Sequence, residues 1–271
     1  MKSQNVLSQP LFDVHSHLQD EAFSKDLSNV IADIEKSKLS GVINAGTDLD
    51  TSRAGIKLAE ENPKFWAMAG FHPHDAKKWQ DDSLKELKKL LDHPKVLGIG
   101  EIGLDYHYDF SPRDVQKSVF SQQWILAAEM NLPIEVHIRE AFDDFWKIIK
   151  ELPKPSKVLL HCFSGGIEEA KKALDLDFSF SIGGVITFPK SLVTVEVFKM
   201  LPIERIQLET DSPYLSPIPF RGRRNNPTLI FHTFEKVCEI KSLDFSSAAQ
   251  KFLLNINSFF GSKITNGNSI D

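Results

Sequence analysis

Cysteine is scarce in this chain: of 271 residues only Cys162 and Cys238 are cysteine, and they stand far apart. That spacing argues against a disulfide framework and fits a reducing, intracellular setting. Long hydrophobic runs are missing as well. No stretch has the length and apolarity of a membrane span, and the polar start, Met1 to Pro10, lacks the apolar core of a signal peptide. The expected compartment is the cytoplasm, with no membrane and no obligate protein partner. A surplus of positive charge is absent too: 32 Lys and Arg face 37 Asp and Glu, for a net charge of −5. Contact with phosphates must therefore come from a local basic cluster, not from the global field.

What is present is an ordinary globular composition, 41% hydrophobic and 25% charged. The length suits one domain, residues 1–271, whose core is large enough to need no staples. Short apolar, β-branched runs alternate with stretches of helical periodicity. The expected strands are Leu11–Leu18, Gly41–Gly46, Phe65–Gly70, Val96–Ile102, Ile134–Ile138, Lys157–Cys162, Phe178–Ile186 and Arg205–Leu208. The expected helices are Ala22–Leu39, Thr51–Glu61, Leu84–Leu91, Asp114–Asn131, Phe142–Ile149, Glu168–Leu174, Leu192–Met200 and Thr228–Phe260, with a frayed polar tail from Gly261 to Asp271. Such alternation implies a parallel sheet, and eight units fit a closed (β/α)8 TIM barrel. An open doubly wound sheet is the alternative, but the glycine-rich dinucleotide turn it calls for is absent.

A barrel of this kind carries its chemistry at the C-terminal ends of the strands. His15 and His17, two apart at the end of the first strand, share a face and can grip one metal ion. Asp13 lies on that face, deeper, where it can steady the pair by hydrogen bonding. Glu101 ends the fourth strand between Gly100 and Gly103; its two oxygens can bridge two ions, and the glycines allow close backbone approach. Asp105 follows in the same segment as a partner behind the ligands. His137 ends the fifth strand, with Arg139 on its face for an anionic group. His161 ends the sixth; Cys162 beside it is read as packing. Asp211 ends the eighth, able to bind a metal and accept a proton from water, with Glu209 behind it.

Two further segments point to substrate. His72, in Gly70-Phe71-His72-Pro73-His74, is placed for substrate contact; His74, His93, His107 and His232 are assigned no role. Arg221-Gly222-Arg223-Arg224-Asn225-Asn226-Pro227 is a compact basic loop with Asn226 as helix cap and Pro227 at the first helical position. Its arginine forks suit phosphate oxygens. Arg221, Asn225 and Asn226 are taken as substrate-binding candidates.

The ordered set of motifs from Asp13 to Pro227 resembles the TatD family of metal-dependent deoxyribonucleases, within the amidohydrolase-like barrels. The resemblance implies His15, His17 and Asp211 on one divalent ion, His137 and His161 on a second, and Glu101 bridging. It implies a 3′-5′ exonuclease-like hydrolysis of DNA phosphodiesters, with Asp211 and Glu101 catalytic and water activated at the two ions. Mg²⁺, Mn²⁺ and Zn²⁺ all remain open as cofactors. Two other readings are weighed: a lactonase, cyclic amidase or phosphotriesterase using the same ions, and a barrel that binds metal without catalysis.

Overall fold

The computed structural model describes residues 9–261 and residue 264. Eight strands follow one another in sequence order around a single sheet, every adjacent pair parallel. They are β1 Leu11–Ser16, β2 Leu39–Ala45, β3 Phe65–Ala69, β4 Val96–Asp105, β5 Pro133–Arg139, β6 Lys157–Leu160, β7 Ser179–Ile182 and β8 Ile206–Leu208. Between successive strands run α1 Leu27–Lys36, α2 Leu49–Glu61, α3 Ser83–Leu91, α4 Arg113–Glu129, α5 Phe142–Lys150, α6 Ile167–Asp175 and α7 Leu192–Met200. After β8 come α8 Ile230–Lys241 and α9 Phe245–Phe260. The seam closes where Asp211 N donates to His15 O at 2.9 Å and His17 N donates to Ser212 O at 2.7 Å. The architecture is the expected (β/α)8 barrel.

Alternating apolar residues build two layers of core. Phe12, Val14, Ile43, Trp66, Met68 and Leu159 form one cluster, and α9 lays Ile256, Phe259 and Phe260 against it. Each such buried side chain contributes roughly 1.5–3 kcal/mol. Asn255 of α9 donates its amide to Ile203 O at 2.7 Å and Ile206 O at 2.9 Å, which ties that helix to the start of β8. The larger cluster, including Val42, Phe65, Phe120 and Trp124, packs the outer faces of the strands against the helices.

Several expected boundaries shift for local reasons. The seventh strand stops at Ile182, not Ile186, and just beyond it the backbone packs so closely that a Cβ on Gly184 would lie 2.1 Å from Leu215 O. The chain turns there into the 3₁₀ segment Gly184–Thr187. The helix expected over 22–39 begins at Leu27, after a 3₁₀ turn capped by Asp20, and β2 starts early, at Leu39. The long last helix is broken by Ser242 in the left-handed region (φ 53°), and Asp244 then caps α9 through Ser247 N. The tail lies outside the described residues apart from Gly261 and Ile264, and Ile264 is buried in the cluster beneath the barrel.

Candidate metal centre

Both strands that deliver the leading candidates slip against a neighbour as they reach the mouth. Asp13 pairs with Val42 and Ser16 with Asn44, so β1 carries an extra residue at the His15 position. Ile99 pairs with Ile134 and Ile102 with Val136, so β4 carries one at Gly100–Glu101. A bulge bends a strand and re-aims a side chain. His15 and His17 do meet, Nε2 to Nε2 at 2.9 Å, but from a bulged strand end rather than by simple alternation. Gly103 is required where it stands: its φ is 146°, and a Cβ there would lie 1.9 Å from His137 O.

Glu101 sits at the centre, 3% exposed. Its Oε1 faces His137 Nδ1 at 3.0 Å, His72 Nε2 at 3.4 Å and His161 Nε2 at 3.6 Å. Its Oε2 faces His15 Nε2 at 3.4 Å and His17 Nε2 at 3.6 Å. Asp211 Oδ1 stands 3.6 Å from both His15 Nε2 and His17 Nε2. The two carboxylate oxygens thus divide the imidazoles into two sets. Donor atoms of His15, His17 and Asp211 lie within 4.8 Å of one another, as do those of His72, Glu101 and His137.

The outer partners decide which ring nitrogen bears the hydrogen. His17 Nδ1 must donate to the Ala45 carbonyl, 2.9 Å away. His161 Nδ1 donates to Glu209 Oε2 at 2.8 Å, an oxygen that also accepts from Ser181 Oγ. His137 Nε2 donates to Asp105 Oδ2 at 3.0 Å, and His15 Nδ1 faces Glu135 Oε1 at 3.0 Å. In the neutral rings the opposite nitrogens then carry lone pairs, aimed at Glu101 and Asp211. Two such nitrogens 2.9 Å apart need a positive charge between them, a shared proton or a metal ion, and with the carboxylates alongside the donor set fits divalent ions. His72 is different. Its Nδ1 accepts from His74 N at 3.1 Å, so its Nε2 carries the hydrogen and offers a donor, not a ligand.

The field of the cluster favours positive charge. Burial pulls the His15 and His161 rings down, but Glu135 and Glu101 raise His15 well above its ordinary value and Glu209 raises His161. Burial likewise opposes, yet Asp105 and Glu101 lift His137 to about 9. Burial penalises Glu101 and Asp211, and the surrounding histidines nevertheless hold both carboxyls low, Glu101 well below the usual range. Burial takes His72 down to about 4, so it is neutral at pH 7. Asp13 joins β1 to β8, accepting from Thr210 N at 2.8 Å, Thr210 Oγ1 at 2.5 Å and His15 N at 3.3 Å, and burial lifts its carboxyl to about 8.

A cavity of about 690 Å³ opens over this cluster, lined by His17, His72, Glu101, His137, His161 and Asp211, with Arg139 at its side. The basic loop is not brought there. Arg221 is exposed with its guanidinium over the Phe188 ring, and it does not line the cavity. Asn225 is fully buried and spends both amide hydrogens on Thr210 O (2.8 Å) and Tyr214 O (2.7 Å), so it braces the Asp211 loop instead of meeting substrate. Asn226 caps the 3₁₀ turn Pro227–Leu229 and is likewise engaged. Cys162 does line the cavity, because β6 ends at Leu160 and Cys162 adopts a φ of 41°. Burial and the nearby Glu209 keep its thiol protonated.

Sequence reasoning missed two contributors. Glu135 precedes His137 by two on β5; a carboxylate in the middle of a buried strand was the available signal. His74 shares Asp105 Oδ2 with His137 at 3.0 Å and lines the cavity. Its signal was the His-Pro-His spacing beside His72.

Fold and site together define a (β/α)8 barrel hydrolase whose mouth holds a histidine–carboxylate cluster. A family model described as TatD related DNase matches residues 12–261. The chain belongs to that family. It is 40% identical over 240 residues to the "uncharacterized metal-dependent hydrolase YabD" of Bacillus subtilis, covering 88% of this chain and 94% of that one. It is 33% identical over 258 residues to the "3'-5' ssDNA/RNA exonuclease TatD" of Erwinia amylovora, covering 93% of this chain and all (100%) of the relative. The crystal structure of YJJV, a TatD homologue from Escherichia coli, superposes with a TM-score of 0.87 at 29% identity, over 92% of this chain and 97% of that one.

Proposed function

We propose that this protein is a two-metal nuclease that shortens single-stranded DNA or RNA from the 3′ end. The observation that carries the reading is the division of the imidazoles by the two oxygens of Glu101. His15, His17 and Asp211 would hold one divalent ion, His137 and His161 the other, with Glu101 between. The relatives named for metal-dependent hydrolysis and for 3′-5′ exonuclease activity support the substrate class. Imidazole-rich donors suit Zn²⁺ or Mn²⁺, and Mg²⁺ is common in phosphoryl chemistry. Among the described residues no helix is long and apolar enough to cross a membrane, and both cysteines are free. We place the activity in the cytoplasm.

At this site the donors of His15, His17, His137, His161, Glu101 and Asp211 would hold divalent ions, which would lower the pKa of water towards about 7 and offset phosphate charge. Asp211, held ionised beside His17, accepts the proton of the attacking water at Oδ1. His72, neutral with its hydrogen on Nε2, directs that hydrogen towards Glu101 Oε1, 3.4 Å away, and steadies the carboxylate at the cavity wall. Arg139 at the cavity side offsets charge on the substrate backbone. Asp105 and Glu209 hold His137 and His161 in the ligating tautomer.

The test uses 5′-end-labelled single-stranded oligonucleotides with protein stripped of metal and reloaded with Mg²⁺, Mn²⁺ or Zn²⁺ in turn. Shortening from the 3′ end that depends on the ion is expected. No hydrolysis with any of the three would sink the reading.

A further inference from the structure

The loop that follows β4 places aromatic rings in solvent at the edge of the cavity. Tyr108 is 48% exposed and Phe110 is 55% exposed. Their rings are stacked, with centroids 5.1 Å apart and planes 10° apart. The Arg139 guanidinium lies over the Tyr108 ring at 4.9 Å, which makes a column of Arg139, Tyr108 and Phe110. Tyr108 and Arg139 line the cavity itself. Single exposed rings are ordinary, but two stacked ones at a cavity edge make an apolar patch of the kind that marks a binding site.

The loop is not loose. Arg113 grips Asp109 with two bonds, Nε to Oδ1 at 2.8 Å and Nη2 to Oδ2 at 2.7 Å. Asp105 Oδ1 accepts from His107 N at 2.9 Å and from Tyr108 N at 3.1 Å. Lys77 Nζ donates to Phe110 O at 3.0 Å, and the His74 ring meets both aromatic rings edge-on, at 5.5 Å from Tyr108 and 4.8 Å from Phe110. His74 and His137 both sit on Asp105 Oδ2. One carboxylate therefore fixes the aromatic column relative to an imidazole of the metal centre. The rings are held ready for a flat partner.

We infer that the Arg139–Tyr108–Phe110 column is a stacking shelf for an unpaired nucleobase of the substrate strand. The inference rests on the nuclease reading and deepens it. An unpaired base has a free face for Phe110, the outer ring of the column, and stacking accepts every base, so the shelf favours single strands without reading sequence. Bases inside a duplex are already stacked on their neighbours and gain little. Arg139 beside the rings meets the backbone phosphate of the same strand.

The test measures binding of the metal-loaded protein to a short phosphorothioate oligothymidylate and to the same backbone without bases, by fluorescence anisotropy. The wild type should bind the thymidylate about tenfold more tightly than the abasic strand. Phe110→Leu and Tyr108→Leu should lose most of that difference, Phe110→Trp should keep it, and all three should melt with the wild type because the rings are exposed. Equal wild-type affinity for both strands, binding to neither, or a full difference retained in Phe110→Leu would overturn the shelf. The abasic comparison needs no variant. Base-dependent binding without hydrolysis of an ordinary oligonucleotide would sink the nuclease reading and leave the shelf standing. Hydrolysis without base-dependent binding would do the reverse.

Discussion

The backbone N–H of Asp211 donates to the carbonyl of His15 at 2.9 Å, while Oδ1 of the same Asp211 stands 3.6 Å from His15 Nε2. One pair of residues therefore shuts the barrel seam and builds half of the mouth. The backbone of Asp211 is in the left-handed region, with a φ of 54°. Residues are held in that region when the surrounding structure over-determines them. Here the seam bond and the Asn225 amide do so.

The two roles of Asp211 separate by substitution. Asp211→Asn keeps the seam bond and the side-chain volume and removes the carboxylate proposed as proton acceptor and ion ligand. Turnover should fall by about 10²–10⁴-fold, while thermal unfolding stays within about 1 kcal/mol of the wild type. Steady-state rates on single-stranded DNA beside a melting curve check this; a variant that hydrolyses at the original rate would remove Asp211 from the mechanism.

Asn225 should behave as a brace. Asn225→Ala takes the amide donor from the buried carbonyl of Thr210 and from the part-buried carbonyl of Tyr214. The expected loss is about 1–3 kcal/mol, read as a lower denaturant midpoint at unchanged slope. Wild-type stability in this variant would show that the amide is dispensable to the fold and remove Asn225 as a brace.

Asp48 makes stability depend on acid through a group that is none of the metal-ligand candidates. Burial raises its carboxyl, but hydrogen bonds from Lys78 and Thr51 outweigh that and hold it below its ordinary 3.8. Lys78 Nζ lies 2.7 Å from Asp48 Oδ2. A depressed carboxyl stabilises the fold above the unfolded value and loses that contribution as pH falls through the folded one. Asp48→Asn keeps a capping side chain for α2 and removes the charge. The wild type should exceed it by about 0.5 kcal/mol at pH 7, and the gap should close as pH drops below 3.8. A gap that persisted unchanged in acid would assign the effect to the cap, not the pair.

Much of this was readable before the structure, for identifiable reasons. The strand-end positions of His15, Glu101, His137, His161 and Asp211 follow from apolar runs that a parallel barrel must bury, and the structure gathers all five around one mouth. Register was not readable. The bulges in β1 and β4 depend on pairing with neighbours, so alternation alone misjudges how His15 and Glu101 are aimed, and it misplaced Cys162 once β6 ended early. The basic loop looked like a phosphate clamp because its charges are adjacent in sequence. In space Arg224 pairs with Asp26 at 2.6 Å and lies over the Phe23 ring, so that charge holds the barrel rim. Asn225 turned inward because two carbonyls of the Asp211 loop needed donors, a demand that no local pattern records.

At the centre of the proposed function Glu101 would stand between two divalent ions. The most direct measurement is the number of Zn²⁺ or Mn²⁺ ions bound per chain, by calorimetric titration and elemental analysis, in the wild type and in Glu101→Gln. The account predicts two ions in the wild type and at most one in the variant. A wild type that binds none, or a variant that binds both with unchanged affinity, would contradict it.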